Sequence, residues 1–265
     1  MTRPRPFEDA PKERITLRGV TFVIPAFNEE GGIAGVLDRL SALDLDVPIE
    51  FLVVDDGSTD GTARVLDGLR ARYDGLRVLR HHVNKGYGAA LKTGFASAQH
   101  EVVVITDADG TYPENKIAEL LACIDDGAEM AVGARTGAEV NVPLVRRPAK
   151  FCLRMLASYL AGTRIPDLNS GLRAMRRELV QRYRPIIPNG FSFTTTITLA
   201  SLTNDHRVDW VPIDYQKRSG NSKIRPIRSR IPRDETTTLA ASARCLHGGG
   251  RGVNTRAPTT TRGSE

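Results

Sequence analysis

The first two-thirds of the chain alternate between short, continuous apolar segments and segments whose apolar residues recur at helical spacing. The apolar segments are rich in β-branched residues and cover 20–25, 49–54, 76–80, 102–106 and 128–135. Between them, apolar side chains three and four residues apart are typical of amphipathic helices. Continuous apolar strands with helices between them indicate a mostly parallel sheet covered by helices on both faces. The sequence therefore predicts an α/β, Rossmann-like domain.

Composition narrows the class of protein. The 265 residues are 40% hydrophobic, which suffices for one α/β domain of ordinary size. The formal charge is +6, but much of the basic surplus lies beyond residue 228 and no zinc-finger or RNP pattern occurs, so nucleic acid is not an expected partner. The three cysteines lack metal-ligand or redox spacing, which favours a reduced, cytoplasmic setting. No apolar segment is long enough to predict a transmembrane helix.

Three regions follow from the same pattern. Residues 1–19 form a charged N-terminal extension without the apolar centre of a signal peptide. Residues 20–228 carry the alternating pattern and form the predicted domain. Residues 229–265 are dominated by Thr, Ala, Arg and Gly, so we predict a disordered tail, and its composition resembles out-of-frame translation.

Polar clusters follow four of the predicted strands. They are residues 25–29, 55–58 and 107–109, and Arg135. Each cluster alone is also explained by helix capping or turn chemistry. The carboxyl ends of parallel strands share one edge of the sheet, where ligands bind in such folds. Four clusters at one edge therefore predict a binding site.

Asp107 and Asp109 are separated by one residue at the end of the fourth strand. Two carboxylates this close repel each other unless a cation lies between them, and oxygen ligands suit Mg²⁺ or Mn²⁺. Mg²⁺ prefers one or two protein carboxylates and takes its other ligands from water and substrate phosphates. The pair therefore indicates a diphosphate ligand, and the small residues Ala108 and Gly110 leave room for its approach.

Two other families share parts of this pattern. D-A-D-G-T also marks haloacid-dehalogenase-type phosphatases, in which the first Asp is the nucleophile. There the motif ends the first strand and a second acidic pair follows, whereas here it ends the fourth strand and Asp55-Asp56 precedes it. A dinucleotide-binding domain is disfavoured because no G-x-G-x-x-G turn follows the first strand.

Several ordered motifs together resemble family 2 glycosyltransferases, most closely the dolichol/polyprenyl-phosphate sugar synthase branch. In chain order they include VIPAFNEE, VVDDGSTDGT, NKGYGAALKTG, TDADGTYP, DLNSGLRAMRR and NGFSFTTTITLA. The resemblance covers residues 20 to 228. It implies a GT-A fold and metal-dependent, inverting transfer of a sugar from a UDP- or GDP-linked donor to a polyprenyl phosphate, such as a dolichyl or undecaprenyl phosphate.

The resemblance also implies roles for individual residues. Contacts with the nucleotide sugar are implied for Pro25, Ala26, Asn28, Glu29, Asp55, Asp56, Lys85, Gly86, Asp107, Ala108 and Asp109. Asp107 and Asp109 would hold Mg²⁺ or Mn²⁺. Catalytic roles are implied for Asp109, Arg135, Asp167 and Arg173, and contacts with the acceptor phosphate for Arg135, Arg173, Arg218 and Lys223.

One departure from the family pattern concerns the metal. Many polyprenyl-mannose enzymes carry D-A-D-L-Q here, with the Gln helping to hold the metal. This chain has Gly110-Thr111 instead, so either the Thr111 hydroxyl or water would take that place.

The second half of the domain bears on the acceptor. A lipid phosphate is ionised near neutral pH and needs no general base, so Asp167 acts either as a base or only to orient Arg173. Residues 143–162 form a basic, amphipathic segment, which suits either a peripheral contact with the cytoplasmic face of a membrane or a helix covering the sheet. His81 and His82 receive no role. A non-catalytic nucleotide-sugar-binding remnant is the alternative to an enzyme.

Overall fold

The computed structural model describes residues 16–73, 75–136 and 155–214. Contacts between residues divide the chain into two units, Met1–Arg230 and Ile231–Glu265, and all the described residues belong to the first. The predicted tail from residue 229 onward lies outside the described residues, so its boundary stays a prediction.

One seven-stranded sheet forms the centre of the described domain. Its strands are β1 Val20–Ala26, β2 Ile49–Asp55, β3 Leu76–Arg80, β4 Val102–Ile105, β5 Met130–Arg135, β6 Arg173–Arg176 and β7 Val208–Ile213. Their order across the sheet is β3-β2-β1-β4-β6-β5-β7. Neighbouring strands pair in parallel except that β6 is antiparallel to both β4 and β5. The prediction of a mostly parallel sheet is therefore confirmed.

Strand β6 was not predicted. It lies between β4 and β5, so two strands that are consecutive in the predicted pattern are not neighbours in the sheet. Its sequence, R-A-M-R, has polar ends and only two apolar residues, and its pairing with β4 and β5 depends on contacts distant in the chain.

Helices cover both faces of the sheet. Those of the described residues are α1 Ile33–Ser41, α2 Thr62–Leu69, α3 Tyr87–Ser97, α4 Ile117–Asp125, α5 155–160, α6 Arg177–Tyr183 and α7 Phe193–Thr203. Alternate strand residues point to opposite faces. In β1, Phe22 and Ile24 pack in a core formed with α1, α2 and α4, whereas Val23 packs in a second core formed with α3, α6 and α7.

The strand directions bring distant loops to one edge. The carboxyl ends of β1 to β5 share that edge because those strands run in the same direction. The antiparallel β6 begins at the same edge. The loop at 167–171, which precedes β6, therefore lies beside the carboxyl ends of β4 and β5. Most of the predicted site residues that the structure describes therefore meet there.

Candidate active site

The loops after β1 and β2 are joined by hydrogen bonds. The backbone N–H of Asn28 donates to Oγ of Ser58 at 2.9 Å, and the N–H of Thr59 donates to Oδ1 of Asn28 at 2.7 Å. Asn28 has φ 55°, a left-handed conformation that Asn adopts more readily than most residues. The N–H of Glu29 donates to Oγ1 of Thr62 at 2.8 Å. These bonds fix Asn28 and Glu29 at the sheet edge, beside Pro25 and Ala26 at the end of β1.

Asp56 is buried and fixes the position of the glycine-rich loop, which contains Lys85 and Gly86 and precedes α3. Its carboxylate accepts hydrogen bonds from the N–H of Lys85 at 2.9 Å and of Gly86 at 2.8 Å. His81 Nδ1 lies 2.6 Å from Oδ1 of the same carboxylate. No role was predicted for His81, and this partner lies 25 residues away from it in the chain. Asp55, next to it, accepts from the N–H of Ser58 at 3.0 Å. The expected contact of Asp55 and Asp56 with the nucleoside stays a prediction.

Asp107 and Asp109 follow β4 and are both partly buried. Ala108, between them, is 2% exposed and packs in the core, so the two carboxylates are placed by a fixed backbone. No group of three or more His, Cys, Asp or Glu side chains suited to a metal occurs among residues 16–73, 75–136 and 155–214. Two carboxylates alone fit Mg²⁺ or Mn²⁺ that completes its coordination with water and phosphate oxygens.

Each of these carboxylates accepts a hydrogen bond from a hydroxyl. The Thr111 hydroxyl donates to Oδ1 of Asp109 at 2.8 Å, so Thr111 orients that carboxylate. The Tyr87 hydroxyl donates to Oδ1 of Asp107 at 3.2 Å. Burial, and then the nearby charge of Asp107, raise the pKa of Tyr87 well above its ordinary value, so the hydroxyl keeps its proton. Tyr87 was not among the predicted site residues, although it lies within the quoted N-K-G-Y-G motif.

Arg135 and Asp167 form a two-pronged ion pair. Nε of Arg135 donates to Oδ2 of Asp167 at 2.7 Å and Nη2 donates to Oδ1 at 2.9 Å. Asp167 also accepts from the N–H of Asn169 at 2.9 Å. Burial opposes ionisation of Asp167, but its hydrogen bonds and the charge of Arg135 outweigh burial, so the pKa of Asp167 lies below its ordinary value. Asp167 therefore orients Arg135, whereas the sequence predicted either a general base or a residue that orients Arg173.

Arg173 is 0% exposed in this conformation. Its Nε donates to the Ser170 carbonyl at 2.8 Å, and Nη2 donates to the Leu168 carbonyl at 3.0 Å. Nη1 donates to Oγ1 of Thr198 at 2.7 Å. Burial lowers the pKa of Arg173 to about 10, although nearby Asp167 opposes that shift. The guanidinium therefore braces the loop before β6, and contact with an acceptor phosphate would require that loop to open.

The remaining predicted residues divide into two groups. Lys85 and Gly86 lie in the loop held by Asp56, and the Lys85 side chain is exposed beside the site. Arg218 and Lys223 lie outside the described residues, as does most of the basic segment 143–162. Of that segment, 155–160 is helical. No helix among the described residues is both long and apolar enough to cross a membrane.

Comparisons with known proteins identify the family of this chain. A family model described as "Glycosyl transferase family 2" matches residues 21–184. The chain is 33% identical over 213 residues to "Dolichyl-phosphate hexose transferase" of Haloferax volcanii, covering 80% of this chain and 89% of that protein. It is 32% identical over 227 residues to "Polyprenol monophosphomannose synthase" of Mycolicibacterium smegmatis, covering 82% of this chain and 84% of that protein.

A solved structure shares the fold. Glucosyl-3-phosphoglycerate synthase from Mycobacterium tuberculosis, in complex with Mn²⁺, UDP and glucosyl-3-phosphoglycerate, matches with a TM-score of 0.60 at 23% identity. The match covers 86% of this chain and 77% of that one. At this identity the likeness concerns the fold alone, and it confirms the GT-A arrangement expected from the sequence.

Proposed function

The chain belongs to glycosyl transferase family 2 and is a glycosyltransferase, and from this we propose that it transfers a sugar from a nucleoside-diphosphate sugar to a polyprenyl phosphate. The observation that carries the proposal is the position of Asp107 and Asp109, which follow β4 at the sheet edge where the loops after β1 and β2 also lie. The family assignment removes the phosphatase alternative.

Hydrogen bonds join the loops after β1 and β2 and hold the loop before α3 beside them. The loops at 25–29 and 55–62 are joined through Asn28, and Asp56 fixes Lys85 and Gly86 beside them. We propose that these residues hold the UDP or GDP part of the donor. Mg²⁺ or Mn²⁺ held by Asp107 and Asp109 would neutralise the charge that develops on the leaving diphosphate.

Names of relatives support a lipid phosphate as acceptor. Two of them are described as a dolichyl-phosphate hexose transferase and a polyprenol monophosphomannose synthase. In the proposed step an oxygen lone pair of the acceptor phosphate forms a bond to the anomeric carbon. The bond from that carbon to the diphosphate oxygen breaks, and its electron pair leaves with the nucleoside diphosphate. Attack from the face opposite the leaving group inverts the anomeric configuration.

The acceptor phosphate needs positive charge and orientation rather than a base. Its oxygen is already ionised near neutral pH, and the depressed pKa of Asp167 makes that carboxylate a weak base. We assign Asp167 to positioning Arg135, whose partly exposed side chain brings positive charge to the site edge. Preorganised charge of this kind stabilises a reacting phosphate without reorganisation during the reaction.

Exposed apolar side chains on α5 support a peripheral contact with the membrane that carries the acceptor. Met155, Leu156, Tyr159 and Leu160 are between 51% and 83% exposed. Apolar side chains on one exposed helix enter the headgroup boundary of a bilayer, where basic neighbours add attraction to anionic lipid. We place this contact at the cytoplasmic face, where soluble nucleotide sugars are available.

Two measurements test the proposed function. Calorimetric titration with UDP and with GDP, each with Mn²⁺, identifies the donor base. Incubation of the matching radiolabelled nucleotide sugar with a short-chain polyprenyl phosphate should then yield labelled lipid and free nucleoside diphosphate. Nucleotide binding without any labelled lipid would contradict the enzymatic proposal and support the nucleotide-sugar-binding remnant. An NMR assignment of the product's anomeric proton tests inversion.

A further inference from the structure

Asp107 lies between Tyr87 and Gly171, which come from two different parts of the chain. We propose that Tyr87 is a positioning residue that, together with the open space at Gly171, fixes the orientation of the Asp107 carboxylate for metal binding. The inference rests on the proposed function, because it assumes that Asp107 and Asp109 hold the divalent cation.

The Tyr87 hydroxyl reaches Asp107 from the first residue of α3. It donates to Oδ1 of Asp107 at 3.2 Å, across 20 residues of sequence. A hydrogen bond to one carboxylate oxygen restricts rotation of the carboxylate and directs the other oxygen. Outer hydrogen bonds of this kind orient metal ligands in many sites, and their loss typically weakens metal affinity.

The Tyr87 ring is itself held in place. It stacks on the Phe191 ring with centroids 5.5 Å apart and planes inclined by 17°. The loop that carries Phe191 is joined to α3, because the N–H of Ala89 donates to the Asn189 carbonyl at 3.1 Å. The direction of the Tyr87 hydroxyl is therefore set by packing before any metal binds.

Gly171 leaves the space that this contact needs. Strand β6 pairs with β4 so that Arg173 lies opposite Ile105, and continuing that register by two residues places Gly171 opposite Asp107. A Cβ at Gly171 would lie 3.1 Å from the Tyr87 hydroxyl oxygen and 3.2 Å from each carboxylate oxygen of Asp107. These distances are shorter than ordinary van der Waals contact, so a larger residue would displace the carboxylate or the tyrosine.

A hydrogen bond restrains the backbone at Gly171 from moving away from Asp107. Its N–H donates to the buried Tyr112 hydroxyl at 2.6 Å, which holds the loop against the residues after β4. Asp107 is therefore confined from one side by Gly171 and oriented from another by Tyr87. Asp109 is oriented separately by Thr111. Hydroxyl groups that orient both carboxylates compensate for the small number of ligands that the protein itself supplies.

Binding of Mn²⁺ alone, followed by electron paramagnetic resonance, tests the inference in the full chain. We expect Tyr87→Phe to weaken Mn²⁺ affinity by about tenfold, the lower end of the usual effect of removing an outer hydrogen bond. Tyr73→Phe is the matched control, since the Tyr73 hydroxyl also donates to a carboxylate, that of Asp38, but lies away from the site. Tyr73→Phe should leave Mn²⁺ affinity unchanged.

A second variant covers the case in which Tyr87→Phe fails to fold. Gly171→Ala keeps the tyrosine but crowds Asp107, and it should weaken Mn²⁺ affinity in the same direction, with the fold checked by circular dichroism. Wild-type affinity in a folded Tyr87→Phe protein, or in Gly171→Ala when Tyr87→Phe does not fold, overturns the inference. Asp109→Asn provides the baseline for loss of the metal site. If the wild-type protein binds Mn²⁺ no better than Asp109→Asn, the proposed metal site itself fails, and the inference fails with it.

Discussion

His81 and Asp56 form a buried pair beneath the glycine-rich loop, with Nδ1 of His81 2.6 Å from Oδ1 of Asp56. The other ring nitrogen, Nε2, lies 2.9 Å from Oγ1 of Thr93 on α3. The imidazole therefore connects the end of β2 with α3. Since Asp56 also holds Lys85 and Gly86, the pair sets the position of the loop that we assign to the donor.

Replacing His81 should destabilise the protein. His81→Asn shortens the side chain and removes hydrogen bonds to Asp56 and Thr93, and a buried carboxylate that loses a partner costs about 1–3 kcal/mol. His82→Asn is the matched control, because His82 is exposed and should change stability by less than about 0.5 kcal/mol. Urea unfolding of both variants gives the comparison. Equal stability of the two would show that the His81 contacts are energetically unimportant.

Removing the charge of Asp109 should abolish sugar transfer. Asp109→Asn keeps the shape of the side chain but halves the carboxylates available to the cation, while the fold should persist because Asp109 is only partly buried. Asp125→Asn, at the exposed end of α4, controls for the loss of one negative charge. Transfer is measured with radiolabelled donor. A normal rate in Asp109→Asn would refute the metal assignment.

The Arg135–Asp167 pair should make stability depend on acidic pH. The folded-state pKa of Asp167 is lowered, so its contribution is fully present above the unfolded-state pKa of about 4 and is lost as pH falls through the folded value. Asp167→Asn should unfold at lower urea concentration at pH 7, and its stability should fall less than that of the wild type between neutral and acidic pH. Glu119→Gln, from an exposed pair with Lys116, should leave the acid dependence unchanged. A wild-type acid profile in Asp167→Asn would contradict the assignment.

Arg173 should be important for stability. Arg173→Ala removes donors from the Leu168 and Ser170 carbonyls and leaves a cavity, which we expect to cost about 3–5 kcal/mol. Arg173→Lys fills part of the cavity but cannot reproduce the fork of donors, so it should fall between wild type and Arg173→Ala. Thermal unfolding monitored by circular dichroism ranks the three proteins. A wild-type unfolding temperature in Arg173→Ala would mean that the buried contacts contribute nothing.

Gly86 should tolerate no side chain. Its φ of 99° is unfavourable for other residues, and a Cβ there would lie 2.6 Å from the Asn189 carbonyl oxygen. Gly86→Ala should cost about 1–3 kcal/mol. Gly68→Ala, the same change within α2 where no atom lies within 4 Å, should instead stabilise by about 0.5–1 kcal/mol. Chemical unfolding of both variants checks the opposite signs, and a neutral Gly86→Ala would show that the loop can shift to accommodate a methyl group.

The strands with continuous apolar sequences, the candidate metal ligands and the family could all be predicted from the sequence. Continuous apolar segments identified β1 to β5, because a strand buried on both faces needs apolar residues throughout. Asp107 and Asp109 were identified as candidate metal ligands by their spacing and by their place after β4. The family and the GT-A fold followed from motifs that occur in a fixed order, and both are confirmed.

The pairing of residues that are distant in the chain depends on how the elements pack. Strand β6 lies between β4 and β5, and its four residues alone do not predict that position. The hydrogen bonds of Arg173 with Thr198, of Asp167 with Arg135, of His81 with Asp56 and of Tyr87 with Asp107 join residues 20 to 32 positions apart. Hydrophobic periodicity reports which face of an element is buried, but which polar partner a side chain meets depends on how the elements pack. The sequence therefore identified the edge of the sheet where the site lies, and packing determined which side chains orient its carboxylates.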